Sequence, residues 1–541
     1  MTQSLRVGIS MNQDNNNFMD SRTLWAILLV GVVWFGWQNY INKKYGQQSQ
    51  QTSAPVNEQV PTTAAANLGV ANNAVVAVGG VEEKIAENPE RRIDYSNANF
   101  RAQISSKGMA LKTLVLNQFT GRDKNPVTFS GGEFGLFSTQ LSGRPVEFQI
   151  SQEGAETFVG VAEVGGLKIH KKLVFSDNYK VSIETKLDST EGAIPPVELS
   201  IEDDLKKVEA GSIFSPPLES QEILILNNEG EKDFNMASEP EGISATINQA
   251  NLASINSHYF SAAFLDKSDL LPSFIVDQKP SAPFLKGQLK YSFSADTKSM
   301  VLKGIGYVGP KDINVLESVD PKFLKLVKFG FFSAIAQPLL LTMKWLNSFI
   351  GNWGWSIILL TLLVRMIVMP LHIMSFRSMK AMQKVQPLIQ NLRDKYKDDP
   401  MTLNREMMEL MKRHKVNPLG GCLPMLLQIP VFFALYRVFS ESIELYQSPF
   451  IFWIHDLSSK DPFFVLPIFM AAVMYLQQKM TPSTMDPAQA RVMQFMPIIF
   501  SLMMISLPSA LTLYMFVSTF FGILQQYLFL RDKPATAVAI K

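Results

Sequence analysis

A single cysteine, Cys422, in 541 residues leaves no room for an internal disulfide framework. The five histidines, His170, His258, His372, His414 and His455, are scattered without metal-ligand spacing, so neither a metal nor another cofactor is expected. No G-x-x-x-x-G-K-[ST] loop is present to hold nucleotide phosphates, which argues against a built-in ATP motor. The formal net charge is only +2, so no basic excess points to nucleic acid. What the chain does have is apolar residues, 47% of the total, gathered into a few long stretches. The segments must therefore be read separately.

Residues 1–23 read as a polar cytoplasmic tail, with Met1 or Met19 as the true start. Residues 24–41, "LWAILLVGVVWFGWQNYI", are long enough for a first bilayer span and carry an aromatic belt in Trp34, Trp37 and Tyr40. No small-x-small cleavage site follows closely, which favours an anchor over a cleaved signal. Residues 42–90, rich in Gln, Ser, Thr, Ala and Asn, read as a flexible linker. Residues 91–310 change character to short alternating runs such as "KLVFSDNYKVSIETKL", separated by Gly, Asn, Asp and Pro turns, which predicts a large antiparallel β-sandwich. Its acidic residues form no evident catalytic pair, so a scaffold or partner-contact role is expected rather than an enzyme.

Residues 321–345 predict an amphipathic helix in the membrane interface, with Lys322, Lys325 and Lys328 recurring every third residue among Phe323, Leu326, Val327 and Phe329. Five further spans are expected at 355–371, 419–439, 463–478, 492–507 and 509–530, for six transmembrane helices in all, the last two reversing tightly at Pro508. Residues 375–416 carry ten Lys and Arg against five Asp and Glu, so this segment is expected to be cytoplasmic. The loop 440–462, with Glu441, Glu444, Asp456 and Asp461 against Lys460, fits the outer side, and the tail 531–541 the inner. Both termini are then cytoplasmic and the β domain lies outside. Lys43 and Lys44, on the outer side of the first span, oppose this orientation, but the larger basic loop outweighs them.

Within that loop Met379, Met382, Val385, Ile389, Leu392 and Tyr396, then Leu403, Met407, Leu410 and Met411, recur every three or four residues on either side of "KDDP". This predicts two amphipathic helices in a hairpin. Its methionines either greet varied apolar clients or seal the two helices together.

One residue disturbs the second span. "LTLLVRMIVMP" sets Arg365 about 15 Å beyond Trp355 at the helical rise, near the middle of a hydrocarbon core roughly 30 Å thick. The other expected spans hold no Asp or Glu to pair with it. A buried charge without a counter-ion is costly, so a hydrated cavity is expected around Arg365, with Thr361, Gln428, Tyr514 and Ser518 turned towards it. The missing carboxylates argue against an ion-coupled secondary transporter. A membrane-anchored sugar-binding module acting through the β domain is the other alternative.

"KVNPLGGCLPMLLQIPVFFALYRVF", "SPFIFWIHDLSSKDPFFVLPI" and "FMPIIFSLMMISLPSALTLYMFVS" together resemble the YidC/Oxa/Alb membrane-protein insertases, specifically the Gram-negative type with a large periplasmic domain. The resemblance implies an inner-membrane insertase and chaperone for nascent membrane proteins, working alone or beside the Sec translocon. It also implies a β-supersandwich similar to sugar-binding folds, and ribosome or signal-recognition receptor contact through the cytoplasmic hairpin. The family's groove arginine falls on Arg365, with Thr361 one turn away at a position the family keeps polar. Its client-contacting tyrosine falls on Tyr514, where this chain has Met515 in place of a second tyrosine. Met425 and Met515 are expected client contacts. The short tail "RDKPATAVAIK" lacks the long basic extension of some relatives.

Overall fold

The computed structural model describes residues 89–190, 192–205, 221–235, 242–279, 282–416, 423–480 and 487–530, without the side chains of 423–427, 487–493 and 529–530. The first expected span, nearly all of the linker and both terminal tails lie outside the described residues. Glu87–Lys541 forms one compact unit.

Between Arg92 and Pro310 the chain forms sheets of four, nine and six strands, every described pairing antiparallel. Alternation sets which side chains enter the shared core. In the strand Leu167–Phe175, Leu167, Ile169, Leu173 and Phe175 point inward and pair in register with Lys180–Ser189, where Ile183 faces Leu173. The β-sandwich expected from the alternating runs is present.

Lys171 occupies one of those inward positions, fully buried, its ammonium donating to the carbonyls of Gly108 (3.0 Å) and Phe137 (2.5 Å). Burial pulls it down to about 7. An unfolded lysine titrates near 10.4, so between these values the unfolded chain holds a proton that the folded one has released. Stability should then rise with pH from about 7 to about 10, by up to about 1.4 kcal/mol per pH unit from this residue. Denaturant midpoints of the detergent-solubilised chain at pH 7 and 9, followed by far-ultraviolet circular dichroism, should show this rise. Lys171→Met should flatten it.

Eight α-helices follow among the described residues: α1 (Ile313–Val319), α2 (Ser333–Ile350), α3 (Trp353–Lys395), α4 (Pro400–Arg413), α5 (Leu423–Glu441), α6 (Val465–Met480), α7 (Pro487–Met504) and α8 (Ser509–Leu530). The expected interfacial helix over 321–345 is not one helix. Pro321–Leu326 is a single 3-10 stretch capped by Asp320, Gly330 at φ 65° breaks the chain, and α2 runs from Ser333 until Gly351 ends it in the left-handed conformation. Packing explains the break. Phe323 and Leu326 enter the β-domain core, whereas Phe329 enters the helical core. Nor is Lys328 free for a cationic face, because it sits among Glu222 (3.1 Å), Asp233 (3.4 Å) and Glu231 (3.8 Å).

α3 also departs from expectation, joining the 355–371 span and the first arm of the 375–416 hairpin in one 43-residue helix. It continues through Pro370 and Pro387, because a proline removes one hydrogen bond without ending a helix whose neighbours are good helix formers. Below the apolar half, Met382, Val385 and Ile389 meet Met411 of α4 and Val416 in a small seam, while Met401 and Met408 are exposed. The hairpin thus uses methionine both as seal and as surface.

By length and composition α3 and residues Ser509–Leu528 are apolar enough to cross a bilayer among the described residues, and Gln494–Met504 is a shorter apolar helix. The described part of α6, 16 residues, is about 24 Å long at the helical rise. Among the described residues two of the expected spans therefore satisfy a full-length criterion, and the first lies outside them.

The β domain is fixed to the helices rather than hung from them. His258 Nε2 donates to the carbonyl of Ser440 (2.5 Å), Tyr446 and Gln447 both donate to the carbonyl of Thr120 (2.9 and 2.8 Å), and Lys344 of α2 bridges Asp312 and Glu444.

Candidate functional site

α3, α5, α6 and α8 each bring a polar side chain to one lane. Arg365 of α3 reaches α8, where its Nε and Nη2 both donate to the Ser518 hydroxyl, at 3.0 and 2.9 Å. One turn earlier on α8, the Tyr514 hydroxyl accepts from Nε2 of Gln428 on α5. One turn later stands Gly522, whose bare backbone makes room for the guanidinium. A Cβ there would lie 3.2 Å from both Nη1 and Nη2 and 3.4 Å from Nε2 of Gln477 on α6. The ladder 514, 518, 522 follows from helical periodicity, which stacks residues four apart on one face.

The lane continues beyond the arginine. His372, two turns further along α3, is buried with Nε2 unpartnered and its ring stacked on Phe376 at 6.2 Å. The buried Oε1 of Gln525 on α8 also lacks a partner, while Gln526 donates to the carbonyl of Met480 (3.1 Å). Unsatisfied buried acceptors and donors mark places where a native protein holds water or a ligand group.

No carboxylate pairs with Arg365 among the described residues, and the Ser518 hydroxyl accepts both of its hydrogen bonds there. No cluster of His, Cys, Asp or Glu fit to hold a metal occurs among them either. Among the described residues the lane therefore offers polar side chains around one fixed positive charge. It is suited to holding and neutralising polar groups.

Of the residues expected at this site, Arg365, Gln428, Tyr514 and Ser518 come together. Thr361 lies one turn from Arg365, but its hydroxyl donates to the carbonyl of Ile357 (2.7 Å), so its proton is committed to its own helix. Met515, beside Tyr514, is half-buried against the helical core. The side chain of Met425 lies outside the described residues. Three residues had no assigned role in the sequence reading: Gly522, Gln477 and His372. A glycine one turn from a serine, the single glycine of α8, was the available signal for the first.

Residues 92–342 match the family described as the YidC periplasmic domain, and residues 345–536 the family described as the 60Kd inner membrane protein. The membrane protein insertase YidC of Campylobacter jejuni is 30% identical over 96% of this chain and 97% of its own length. The chain belongs to the YidC insertase family. That of Cupriavidus necator is 32% identical over 93% of this chain and 96% of the relative. A crystal structure of an active YidC insertase with its first transmembrane domain resolved aligns over 82% of this chain and 93% of that one, at 19% identity and a TM-score of 0.38. As in the family, this is an inner-membrane protein whose β-sandwich is the periplasmic domain. Its curated relatives are named insertases, not enzymes, transporters or sugar-binding modules.

Proposed function

We propose that the lane around Arg365 is a hydrated groove, open to the cytosol and to lipid, through which polar tails and hydrophobic segments of nascent inner-membrane proteins enter the bilayer. Six spans with both termini cytoplasmic enclose it. The observation that carries this reading is a guanidinium held on the Ser518 hydroxyl without a carboxylate among the described residues. Water and a fixed positive charge part-way across the bilayer shorten the unfavourable path of a polar tail, most of all an acidic one. Burial of the client's own apolar span, at about 25 cal/mol per Å², supplies the driving force, so no nucleotide is required. The protein acts as insertase and chaperone, alone or beside the Sec translocon, with ribosome or receptor contact through the α3–α4 hairpin.

Site-specific photocrosslinkers at Thr361, Met425 and Tyr514 should capture a ribosome-bound nascent chain whose first span is just emerging. Capture only from the lipid-facing position Ile468, with none from these three, would place the client elsewhere.

A further inference from the structure

The loop joining α5 to α6 is more tightly built than a connector needs to be. Asp456 accepts from the backbone N–H of Gln447 (3.0 Å) and Ser458 (2.8 Å) and from the hydroxyls of Ser458 (2.7 Å) and Ser459 (2.5 Å). Asp461 accepts from Nε1 of Trp453 (3.0 Å) and from the backbone N–H of Phe463 (3.1 Å) and Leu466 (2.7 Å). The loop also closes on the starts of α3 and α8. Asn352 donates to the carbonyl of Phe450 (3.3 Å), and the backbone N–H groups of Ser509 and Ala510 donate to the carbonyls of Ser459 (2.7 Å) and Leu457 (2.9 Å).

On this frame the exposed rings stand out. Phe452 and Phe464 adopt φ of 54° and 57°, a left-handed conformation that bulky residues rarely take. Yet Phe452 is 80% exposed and the neighbouring Phe463 66% exposed. Burial of a ring would explain such strain, but here the strained backbone carries rings outward. Trp453 stacks beside Phe452 at 6.0 Å, and His455 and Lys460 are exposed on the same loop. Phe463 and Phe464 lead directly into α6, whose exposed face continues with Ile468 and Phe469. The apolar strip is thus continuous from the loop onto the side of the helix.

We propose that this loop is a preformed wedge seated in the interfacial layer of the outer leaflet, with lipid as its occupant. Phe452 and Phe463 lie among the upper acyl chains, and Lys460 and His455 lie at the level of the headgroup phosphates. This is the chemistry by which aromatic and cationic side chains anchor at a membrane surface. The proposal rests on the reading of α6 as a span. Because the loop closes on the starts of α3 and α8, its depth also fixes the depth of Arg365 and Ser518.

The test uses the full chain carrying Cys422→Ser, reconstituted alone in vesicles of phosphatidylethanolamine and phosphatidylglycerol. A nitroxide label is placed through Phe452→Cys, with Phe469→Cys on α6 and Val164→Cys on the β domain as hydrocarbon and water references. Collision rates with oxygen and with a water-soluble nickel chelate report depth. The Phe452 label should collide several-fold more with oxygen than with nickel, at a depth between the two references. A Phe452 label matching Val164 while Phe469 stays oxygen-dominated would overturn the wedge and leave the span intact. If both labels match Val164, the span reading falls and the wedge with it. Phe452 is exposed and belongs to no packed core, so the substitution leaves the fold in place.

Discussion

Arg365→Ala is expected to slow insertion of a client with an acidic translocated tail roughly 10- to 100-fold, the equivalent of the 1.5–3 kcal/mol that a hydrogen bond to a charged group contributes. Two donors leave the Ser518 hydroxyl in this variant, and the lane loses its fixed positive charge. A purely hydrophobic client should be affected far less, because its driving force is burial of its own span. Arg365→Lys should keep much of the activity, since it restores the charge though not the two-nitrogen contact with Ser518. Reconstituted insertion of a matched client pair, differing only in tail charge, separates these effects. Equal loss for both clients would mean that the arginine serves structure and not passage.

Gly522→Leu should impair insertion about as strongly by a different route. Even a Cβ at this position lies 3.2 Å from both terminal guanidinium nitrogens, tighter than ordinary contact, and a leucine side chain must also share that space with Gln477. Overfilling of this kind costs typically 1–3 kcal/mol and is relieved here by pushing the guanidinium off Ser518. Gly522→Ala asks for only a few tenths of an ångström and should be mild. The two sites act through one contact, so their effects should not add. Insertion by Gly522→Leu with Arg365→Ala should be close to that of Arg365→Ala alone. Additive losses would show that Gly522 supports the bundle independently of the arginine.

Why some of this was legible in the sequence and some was not has a physical basis. Polar residues in apolar runs announce themselves, so Arg365, Gln428, Tyr514 and Ser518 stood out, and helical spacing put the last two on one face. Gly522 contributes by what it lacks, and an absence has no periodicity. Lys171 is the opposite case: in "LKIHKKLVF" the alternation that turns Leu167, Ile169, Leu173 and Phe175 inward also turns Lys171 inward, but a lysine carries the charge of a surface position. Helix ends were misread where packing overrides local pattern. Gly330 divides a lysine-and-phenylalanine periodicity because the two halves belong to different cores, and Pro370 fails to divide α3. The acidic residues of 440–462 served the sequence reading only as a sign of sidedness. In the fold Glu444 meets Lys344, while Asp456 and Asp461 knit the loop together.

For the groove to admit a client, water must reach Arg365 from the cytosolic side. A thiol must ionise in water to react with a maleimide, so a cysteine beside the guanidinium reports that water directly. With Cys422→Ser as background, Ser518→Cys should be labelled rapidly by a membrane-impermeant maleimide added to the cytosolic face of sealed vesicles, far faster than the exposed apolar position Leu524→Cys on the same helix. Labelling of Ser518→Cys as slow as that of Leu524→Cys would mean a dry lane, and the groove would not be the route of entry.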